Sequence, residues 1–465
     1  MLASKLLSAA GGTETLWVDE VFSSWLYTGN GSTQTITNGI DLAGKGGLVI
    51  TKNRSSGAGA GVHPFTWTDT IQGARNVLYS DRTDQTFVGS NYGAYSFLSS
   101  GFTLGNSIVD NRSGDPHLSL TFRKAAKFFD CGTYTGNGTT RSIGHALTSA
   151  PGFLIVKRTD ATGGWIALHR TGFSSSWGFR RLDTTDTFLD VNSYPTYFGN
   201  GTSFVAPTAT EFTVNVNADL NASGGTYVWY AFAHDTSTDG IIQCGSFTTD
   251  GSGNATVNLG WEPQFVLSKR SSLAGTNWQM VDSMRGFTVS SPDPTLEPNT
   301  SRAEQADNWA TITSTGFEGP FASNSQTYIY LAIRRPNKPP TSGTQVYNAI
   351  ARTGTGAAAT VTGVGFAPDL GITSRRNGTG IYPVFIDRLR GTSTVLGGMS
   401  MTGDETSNNG YLTAGEFLFN MDGFALGSGS GTYGYFNYNT YPTSTTSSAA
   451  PPVCLMWWLI RVTTH

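Results

Sequence analysis

The chain has 465 residues, of which 13% are charged, and its formal net charge is −3. This length exceeds what one hydrophobic core supports, so we expect two to four domains. The nearly balanced charge indicates neither a basic nucleic-acid surface nor an acidic tail. The longest apolar run, Val453 to Ile460, is too short to span a membrane. Abundant glycine and 12% aromatic residues favour short strands joined by tight turns.

The N-terminal segment, residues 1–19, is interpreted as an anchor that precedes the first domain. It contains one lysine and lacks the apolar region of a secretory signal peptide. We therefore expect a protein that is assembled in the cytoplasm of a host and released by lysis, as phage proteins are.

One unit is repeated four times along the chain. Each copy contains an aromatic strand before a glycine-rich turn, an apolar strand ending in a base, and a closing strand; a Gly-Phe turn occurs in the first, third and fourth copies, where the second has Glu211-Phe212. The bases are 105, 112 and 106 residues apart and are Lys52, Lys157, Lys269 and Arg375. The predicted domains are residues 20–127, 128–237, 238–338 and 344–465, the last with an insertion at 427–452. Residues 335–340 form the clearest linker.

The closing strands predict the fold class. Leu118, Leu120 and Phe122 alternate with Ser119 and Thr121, a period of two that is typical of an antiparallel sheet with one face in solvent. Regular strand spacing then predicts an all-β protein of tandem antiparallel β-sandwich units, of jelly-roll or lectin-like type. Two adjacent units could also combine into one larger sandwich.

The three cysteines do not suggest a disulfide framework. Cys131 and Cys244 occupy the same position in the second and third units, and Cys454 remains as an odd residue. Equivalent positions of successive domains do not normally meet, so we expect buried free thiols.

Motifs for enzymatic chemistry are scarce. The sequence has no Gly-x-Ser-x-Gly, His-Glu-x-x-His, phosphate-binding loop or Cys-x-x-Cys, and no Glu-x-Asp-x-x-Glu of a glycosidase. We expect a protein that is not an enzyme, with no catalytic residue, no metal and no cofactor. The nearest acidic group is Asp183, Asp186 and Asp190, which reads as a solvated loop or, less favourably, as a calcium site.

An Asp-x-x-x-Gly turn recurs in three units, and an arginine follows the aspartate by three residues in two of them. An aspartate that accepts turn amides and is held by an arginine explains this pattern without catalysis. In the second unit, Leu168 is predicted to replace the aspartate. The strand-end bases are likewise interpreted as scaffold. The predicted turn-latch residues are Asp69, Asp282, Arg285, Asp387 and Arg390.

Tyrosine-rich segments are the candidates for binding. Aromatic faces flanked by amides and hydroxyls suit sugars and adaptable protein contacts. A second, weaker candidate is the segment Tyr194 to Phe198. The alternative is that these tyrosines pack on a neighbouring subunit or on their own sheet. The main candidates for carbohydrate or receptor binding lie in the insertion of the fourth unit and are Tyr433, Tyr435, Tyr438 and Tyr441.

Several strings resemble a known group of proteins. They include 128–138, 151–158, 38–50 and the Gly-Phe-x-Leu-Gly turns. The chain resembles tail-fibre-like or concanavalin-like structural proteins of marine tailed phages. The resemblance covers the first two units well and the others through the repeat, and it implies a virion location without catalytic residues.

The leading functional hypothesis is a tail-fibre, tail-tip or adaptor subunit that takes part in host attachment. Its expected partners are other virion proteins, further copies of itself (a trimer among the candidate forms) and a host surface glycan, with no nucleic acid and no membrane insertion. The runner-up is a capsid decoration or head-fibre protein. A polysaccharide depolymerase and a cellular adhesin are less favoured.

Overall fold

A computed structural model describes residues 15–55, 63–174, 176–289, 292–321, 323–353 and 359–375, with six short strand-bearing stretches further on (384–389, 394–397, 406–407, 417–420, 423–426 and 454–460). Within these ranges the chain forms antiparallel sheets, with three one-turn α-helices and two 3-10 turns. The predicted all-β class of antiparallel sandwich units is confirmed. The described part of the chain contains no helix that is both long and apolar enough to cross a membrane.

Four successive groups of strands are called repeats 1 to 4 below. Repeat 1 contains α1 (Val18–Val21), β1 (Phe22–Thr28), β2 (Gln34–Thr37), α2 (Leu42–Lys45), β3 (Gly47–Asn53), β4 (Thr66–Asp69), β5 (Leu78–Tyr79), β6 (Ala94–Leu98), β7 (Gly101–Leu104) and β8 (Pro116–Arg123). Repeat 2 contains β9 (Phe129–Thr135), β10 (Arg141–Gly144), β11 (Pro151–Arg158), β12 (Trp165–Phe173), β13 (Ser176–Arg181), β14 (Leu189–Asp190), a 3-10 turn (Val191–Ser193), β15 (Glu211–Val214), α3 (Ala218–Asn221) and β16 (Thr226–Ala233).

Repeat 3 contains β17 (Ile242–Thr248), β18 (Asn254–Asn258), β19 (Pro263–Arg270), β20 (Gln279–Asp282), β21 (Asp293–Thr295), β22 (Gln305–Asp307), β23 (Thr311–Thr313), β24 (Gly316–Pro320) and β25 (Thr327–Arg334). Repeat 4 contains a 3-10 turn (Gly343–Gln345), β26 (Tyr347–Thr353), β27 (Ala359–Val361), β28 (Leu370–Arg375), β29 (Val384–Asp387), β30 (Thr394–Gly397), β31 (Thr406–Ser407), β32 (Phe417–Asn420), β33 (Gly423–Leu426) and β34 (Cys454–Ile460).

The same strand order recurs in all four repeats. In each large sheet the last strand lies between the first and the third, and the fourth strand follows the third. The large sheets are β1-β8-β3-β4-β5, β9-β16-β11-β12-β13-β14, β17-β25-β19-β20 and β26-β34-β28-β29-β30-β31. The small sheets that face them are β2-β7-β6, β10-β15, β18-β24-β23 and β27-β33-β32. Each of these sheets draws its strands from one repeat.

The Gly-Phe turn has a steric cause. The phenylalanines Phe102, Phe317 and Phe424 are fully buried in their repeats. The glycine before each one lies against a carbonyl oxygen of the paired strand, where a Cβ would be 2.0 Å from Ile36 O, 1.8 Å from Val257 O and 2.1 Å from Val361 O. Such contacts exclude any side chain, so glycine is required wherever the two strands of the small sheet approach this closely.

In repeats 1 to 3, both faces of the large sheet are buried, which corrects the expected solvent face. In repeat 1, Val49 packs against the small sheet, whereas Leu48 belongs to a second core on the opposite face. Ser119 and Thr121 are fully buried, and Thr121 accepts a hydrogen bond from the amide of Asn38. Of these two buried side chains, Thr121 is hydrogen-bonded inside the sandwich, whereas the Ser119 hydroxyl is buried without a partner.

The second core joins repeats 1, 2 and 3. Phe122 of repeat 1 has its ring centroid 5.4 Å from that of Phe232 in repeat 2 and 6.5 Å from that of Phe265 in repeat 3. A small apolar pocket at this junction is also lined from all three repeats, by Ile155 and Leu331 among others. The large sheets of the first three repeats thus bury one face against one another.

Candidate functional site

Three buried lysines connect repeats 1 to 3. Each is the last residue but one of the third strand of its repeat, and each donates from Nζ to a backbone carbonyl of another repeat. The pairs are Lys157 with Thr83, Lys269 with Thr185 and Lys52 with Ser301, at 3.1, 3.2 and 3.1 Å. Burial lowers the pKa of each of these ammonium groups to about 8. These three lysines are therefore contacts between repeats.

Backbone hydrogen bonds repeat at the same three seams. In each, an amide of one repeat donates to the carbonyl two residues after the lysine of the next. The pairs are Thr86 with Thr159, Phe188 with Ser271 and Glu304 with Arg54, at 3.0, 3.0 and 3.2 Å. The relation runs from repeat 1 to 2, from 2 to 3 and from 3 back to 1. Identical head-to-tail contacts that return to their start form a closed ring, so repeats 1 to 3 are arranged with approximate threefold symmetry.

The Asp69 turn connects repeat 1 to repeat 2. Its Oδ1 accepts the amides of Ile71 and Gln72 at 2.9 and 2.7 Å, and its Oδ2 accepts the hydroxyl of Tyr230 at 2.9 Å. Burial raises the pKa of Asp69, and these hydrogen bonds oppose the rise. This aspartate both shapes a turn and holds the next repeat.

The Asp282 turn closes the ring between repeat 3 and repeat 1. Arg285 lies 2.5 Å from Asp282, and both side chains are fully buried. Asp282 also accepts the hydroxyl of Ser24 in repeat 1 at 2.9 Å. Glu304 bridges Arg285 and Arg54 of repeat 1, at 3.4 and 2.6 Å. A continuous chain of charges therefore crosses this seam.

The strand register of repeat 2 corrects the predicted alignment of its turn. Phe153 pairs with His169 as Leu48 pairs with Asp69, so His169 and not Leu168 takes the aspartate position in repeat 2. The prediction was wrong by one residue because β12 runs through the turn into a hairpin with a bulge, which shortens the spacing to Gly172. His169 Nε2 lies 3.1 Å from the carbonyl of Tyr330 in repeat 3, and burial lowers the pKa of His169 to about 3.

Repeat 4 differs at the positions of the ring contacts. Leu370 pairs with Asp387 as Leu48 pairs with Asp69, which places Ser374, and not Arg375, at the position of the lysines. The one-residue error arose because an arginine follows the lysine in repeats 2 and 3, and that arginine is what Arg375 matches. Arg390 and the four tyrosines of the insertion, Tyr433, Tyr435, Tyr438 and Tyr441, lie outside the described residues.

A largely buried aromatic cluster with one exposed ring, Tyr194, lies at the edge of the large sheet of repeat 2. Phe179 has ring centroids of Tyr197 at 4.4 Å and of Tyr194 at 5.8 Å. Tyr194 is 42% exposed, while Phe198 of the same segment is buried. Trp177 extends the cluster toward Phe204, with their centroids 5.8 Å apart. The sequence singled out the segment with Tyr194 but missed Trp177 and Phe179, for which the alternation along β13 was the available signal.

Comparison with known families adds one finding. A family model described as a domain of unknown function (DUF7483) matches residues 19–336 and 342–445. The chain belongs to the DUF7483 family. The first matched stretch of this DUF7483 protein contains the ring of repeats 1 to 3 and the second contains most of repeat 4, so the break falls at the predicted linker. No curated protein matches the chain.

Each of the three acidic residues considered as a calcium site has its own partner in the DUF7483 protein. Asp183 pairs with Arg181 at 2.8 Å, and Asp186 pairs with Arg180 at 2.5 Å. Asp190 caps the 3-10 turn by accepting the amide of Asn192 at 3.0 Å. Among the described residues, no three His, Cys, Asp or Glu side chains are grouped as a metal site.

Two of the DUF7483 protein's cysteines are buried free thiols, as predicted. Cys131 pairs with Tyr230 and Cys244 with Leu331, equivalent positions in the first strand of their repeats. Ser24 takes this position in repeat 1. Burial raises the pKa of the Cys131 thiol, which disfavours the reactive thiolate.

Proposed function

We propose that the protein is a non-enzymatic structural subunit of a tailed-phage virion, as a tail-fibre, tail-tip or adaptor subunit that contributes to host attachment. The observation that carries this proposal is the contrast between the buried polar contacts that join the repeats, called the polar frame here, and the aromatic cluster of repeat 2, where Tyr194 is exposed. Lys157 and Asp282 belong to the frame and are fully buried, whereas Tyr194 faces solvent.

The polar frame is unsuited to catalysis. A catalytic acid or base must reach its substrate. Asp282, Arg285 and Lys157 are at most 2% exposed, and each is engaged by groups of its own or a neighbouring repeat. These repeated side chains therefore support a structural role for the repeats.

The aromatic cluster of repeat 2 supports a binding role. Tyr194 is exposed and Tyr197 is half-buried beside it, and Asn192 and Ser193 are neighbouring exposed polar groups. Rings for the apolar face of a pyranose and hydrogen-bonding groups for its edges are the features that sugar recognition needs. The tyrosines of the insertion, which the sequence made the main candidates, belong to the same proposal.

The proposed partners follow from this role. They are neighbouring virion proteins, further copies of the chain and a glycan of the host surface. The net charge of −3 and the resemblance to tail-fibre-like proteins of marine phages favour neither nucleic acid nor a lipid bilayer. Assembly takes place in the host cytoplasm under this proposal.

Immunogold labelling of intact virions with antibody against the purified protein tests the location. Gold at the tail is the expected result. Gold spread over the capsid contradicts the tail assignment and favours a capsid decoration or head-fibre protein. Absence of gold from every part of the particle contradicts a virion role altogether.

Adsorption assays test the binding surface. Purified protein added in excess is expected to block phage adsorption to host cells, and the double variant Tyr194→Ala, Tyr197→Ala is expected to block it less. Tyr95→Ala in repeat 1 is the matched control and retains full blocking. Release of reducing sugar from host polysaccharide by the purified protein would instead indicate a depolymerase.

A further inference from the structure

Repeat 4 carries the same sheet face that repeats 1 to 3 bury in their ring. We call this the ring face: the face of the large sheet that points away from the small sheet. In repeat 1 it includes Phe22, Leu48 and Ile50. The strand registers place Tyr347, Leu370 and Ile372 at these positions in repeat 4, and Phe385 and Ile460 at those of Trp67 and Phe122. The ring face of repeat 4 is therefore also apolar.

Within the part of the chain that the structure describes, the ring face of repeat 4 is uncovered. Phe22 is fully buried, whereas Tyr347 at the equivalent position is 47% exposed. Ser24 is 1% exposed, whereas its counterpart Ala349 is exposed. Leu370, Ile372, Phe385 and Ile460 are partly exposed. Exposed apolar surface of this kind is unfavourable in water and marks a site of association.

Repeat 4 is attached to repeat 3 through other residues. Arg388 lies 2.6 Å from Glu262 of repeat 3 and 2.9 Å from Asp369 of its own repeat. Arg335 in the linker lies 2.8 Å from Asp369 and 3.4 Å from Glu262. This four-charge cluster fixes repeat 4 beside the ring and leaves the ring face to another occupant.

We propose that the ring face of repeat 4 packs against the same face of two further copies of this chain, around a threefold axis. The internal ring shows how this repeat satisfies its ring face: three units close head to tail, and two would leave part of each face uncovered. A head-to-tail contact with the same rotation closes at three whether the units share one chain or come from three. The inference stands independently of the proposed virion role.

This contact between chains would rest mainly on apolar packing, whereas the internal ring also uses hydrogen bonds from buried lysines and a hydroxyl. Ser374 holds the position of the three lysines, so the long cationic donor of repeats 1 to 3 is missing there. Ala349, in place of Ser24, removes a hydroxyl that donates to Asp282 in the internal ring. Intermolecular rings made of apolar groups are sensitive to a single buried charge.

The test is the mass of the full-length protein in solution, by light scattering during gel filtration and by sedimentation. A mass of three times the 49.5 kDa chain is expected. Ala349→Arg is expected to raise the concentration of half-dissociation by about 100-fold or more, because it leaves an unpaired charge in the contact. Ala306→Arg is the matched control, since Ala306 is an exposed strand alanine in repeat 3, and it remains trimeric.

The position of Ala349 separates dissociation from unfolding. Because the side chain is exposed in a single chain, the variant monomer is expected to keep the circular dichroism spectrum of the parent. Ala351→Arg, on the same exposed face of β26, provides a second variant with the same expectation. A parent protein that is monomeric or dimeric overturns the proposal, and so does a trimer that survives both substitutions.

Discussion

Repeats 1 to 3 and repeat 4 share one strand order but place the same face in different surroundings. In the first three, the ring face is closed by neighbouring repeats, and Ser24 on it is 1% exposed. In repeat 4, Ala349 at the same position is exposed. The residues of the repeat therefore fall into two groups: those that form the sandwich and those that determine what the sandwich packs against.

Two features of the repeat illustrate these two groups of residues. The Gly-Phe turn occurs in repeats 1, 3 and 4, inside and outside the ring, so it serves the sandwich alone. The strand-end lysine occurs only in repeats 1 to 3, where it contacts another repeat, and Ser374 replaces it in repeat 4. A few side chains on a constant framework therefore distinguish an internal from a free repeat.

Truncation of the chain is the test of the difference between ring and free repeats for which we expect the largest effect. A chain that ends at Pro340 keeps all three ring repeats and is expected to unfold in one cooperative transition. A chain that ends at Ser237 lacks repeat 3, exposes Phe122 and Phe232, and is expected to lose cooperative unfolding. Calorimetry measures both. If the shorter chain unfolds as cooperatively as the longer one, the shared core is not needed and the distinction between ring and free repeats fails.

The seam that closes the ring is tested by Arg285→Met. This substitution leaves Asp282 buried without its cation and is expected to reduce the free energy of unfolding by about 3–5 kcal/mol. Urea titration gives the value. Arg302→Met is the control: Arg302 pairs with Glu297 but its side chain is 55% exposed, so a loss below about 1 kcal/mol is expected. Equal losses in the two variants would argue against a buried charged seam.

The lysine contacts between repeats are tested by measuring the free energy of unfolding as a function of pH. The folded pKa of Lys157 is about 8, below the ordinary value of 10.5 in an unfolded chain, so the unfolded chain binds more protons between these values. Stability therefore rises with pH over this window. Lys157→Met is expected to reduce the rise by roughly 1–2 kcal/mol at pH 10. The exposed Lys45→Met serves as control, and an unchanged pH profile for Lys157→Met would show that its ammonium is not desolvated.

Local chemistry made much of the fold predictable. Alternation along the strands and the glycines of tight turns act between neighbouring residues, so the all-β class could be predicted from them. The partner of Lys52 could not, because Ser301 is 249 positions away and meets it only when the ring closes. Ser119 was assigned to solvent for a related reason: the alternation of one strand does not reveal that neighbouring repeats cover both faces of its sheet, where Ser119 is fully buried.

The candidate site shows a similar division. The segment around Tyr194 was recognisable from its composition. Trp177 and Phe179 join it only through the pairing of β13 with its neighbours, which a single strand does not reveal. The turn aspartates were recognisable as repeated residues, but their contacts with Tyr230 and Ser24 depend on the arrangement of whole repeats.

Closure of the ring has a consequence for synthesis on the ribosome. Repeat 1 meets repeat 3 through Arg54 and Glu304, and the start of repeat 1 also touches the end of the ring, where Glu20 lies 2.7 Å from Lys338. The first repeat thus leaves the exit tunnel long before its last partner exists. At about 5–20 residues per second, its ring face stays exposed for on the order of ten seconds or more. Ribosome-associated chaperones are expected to bind nascent chains of this protein during that interval.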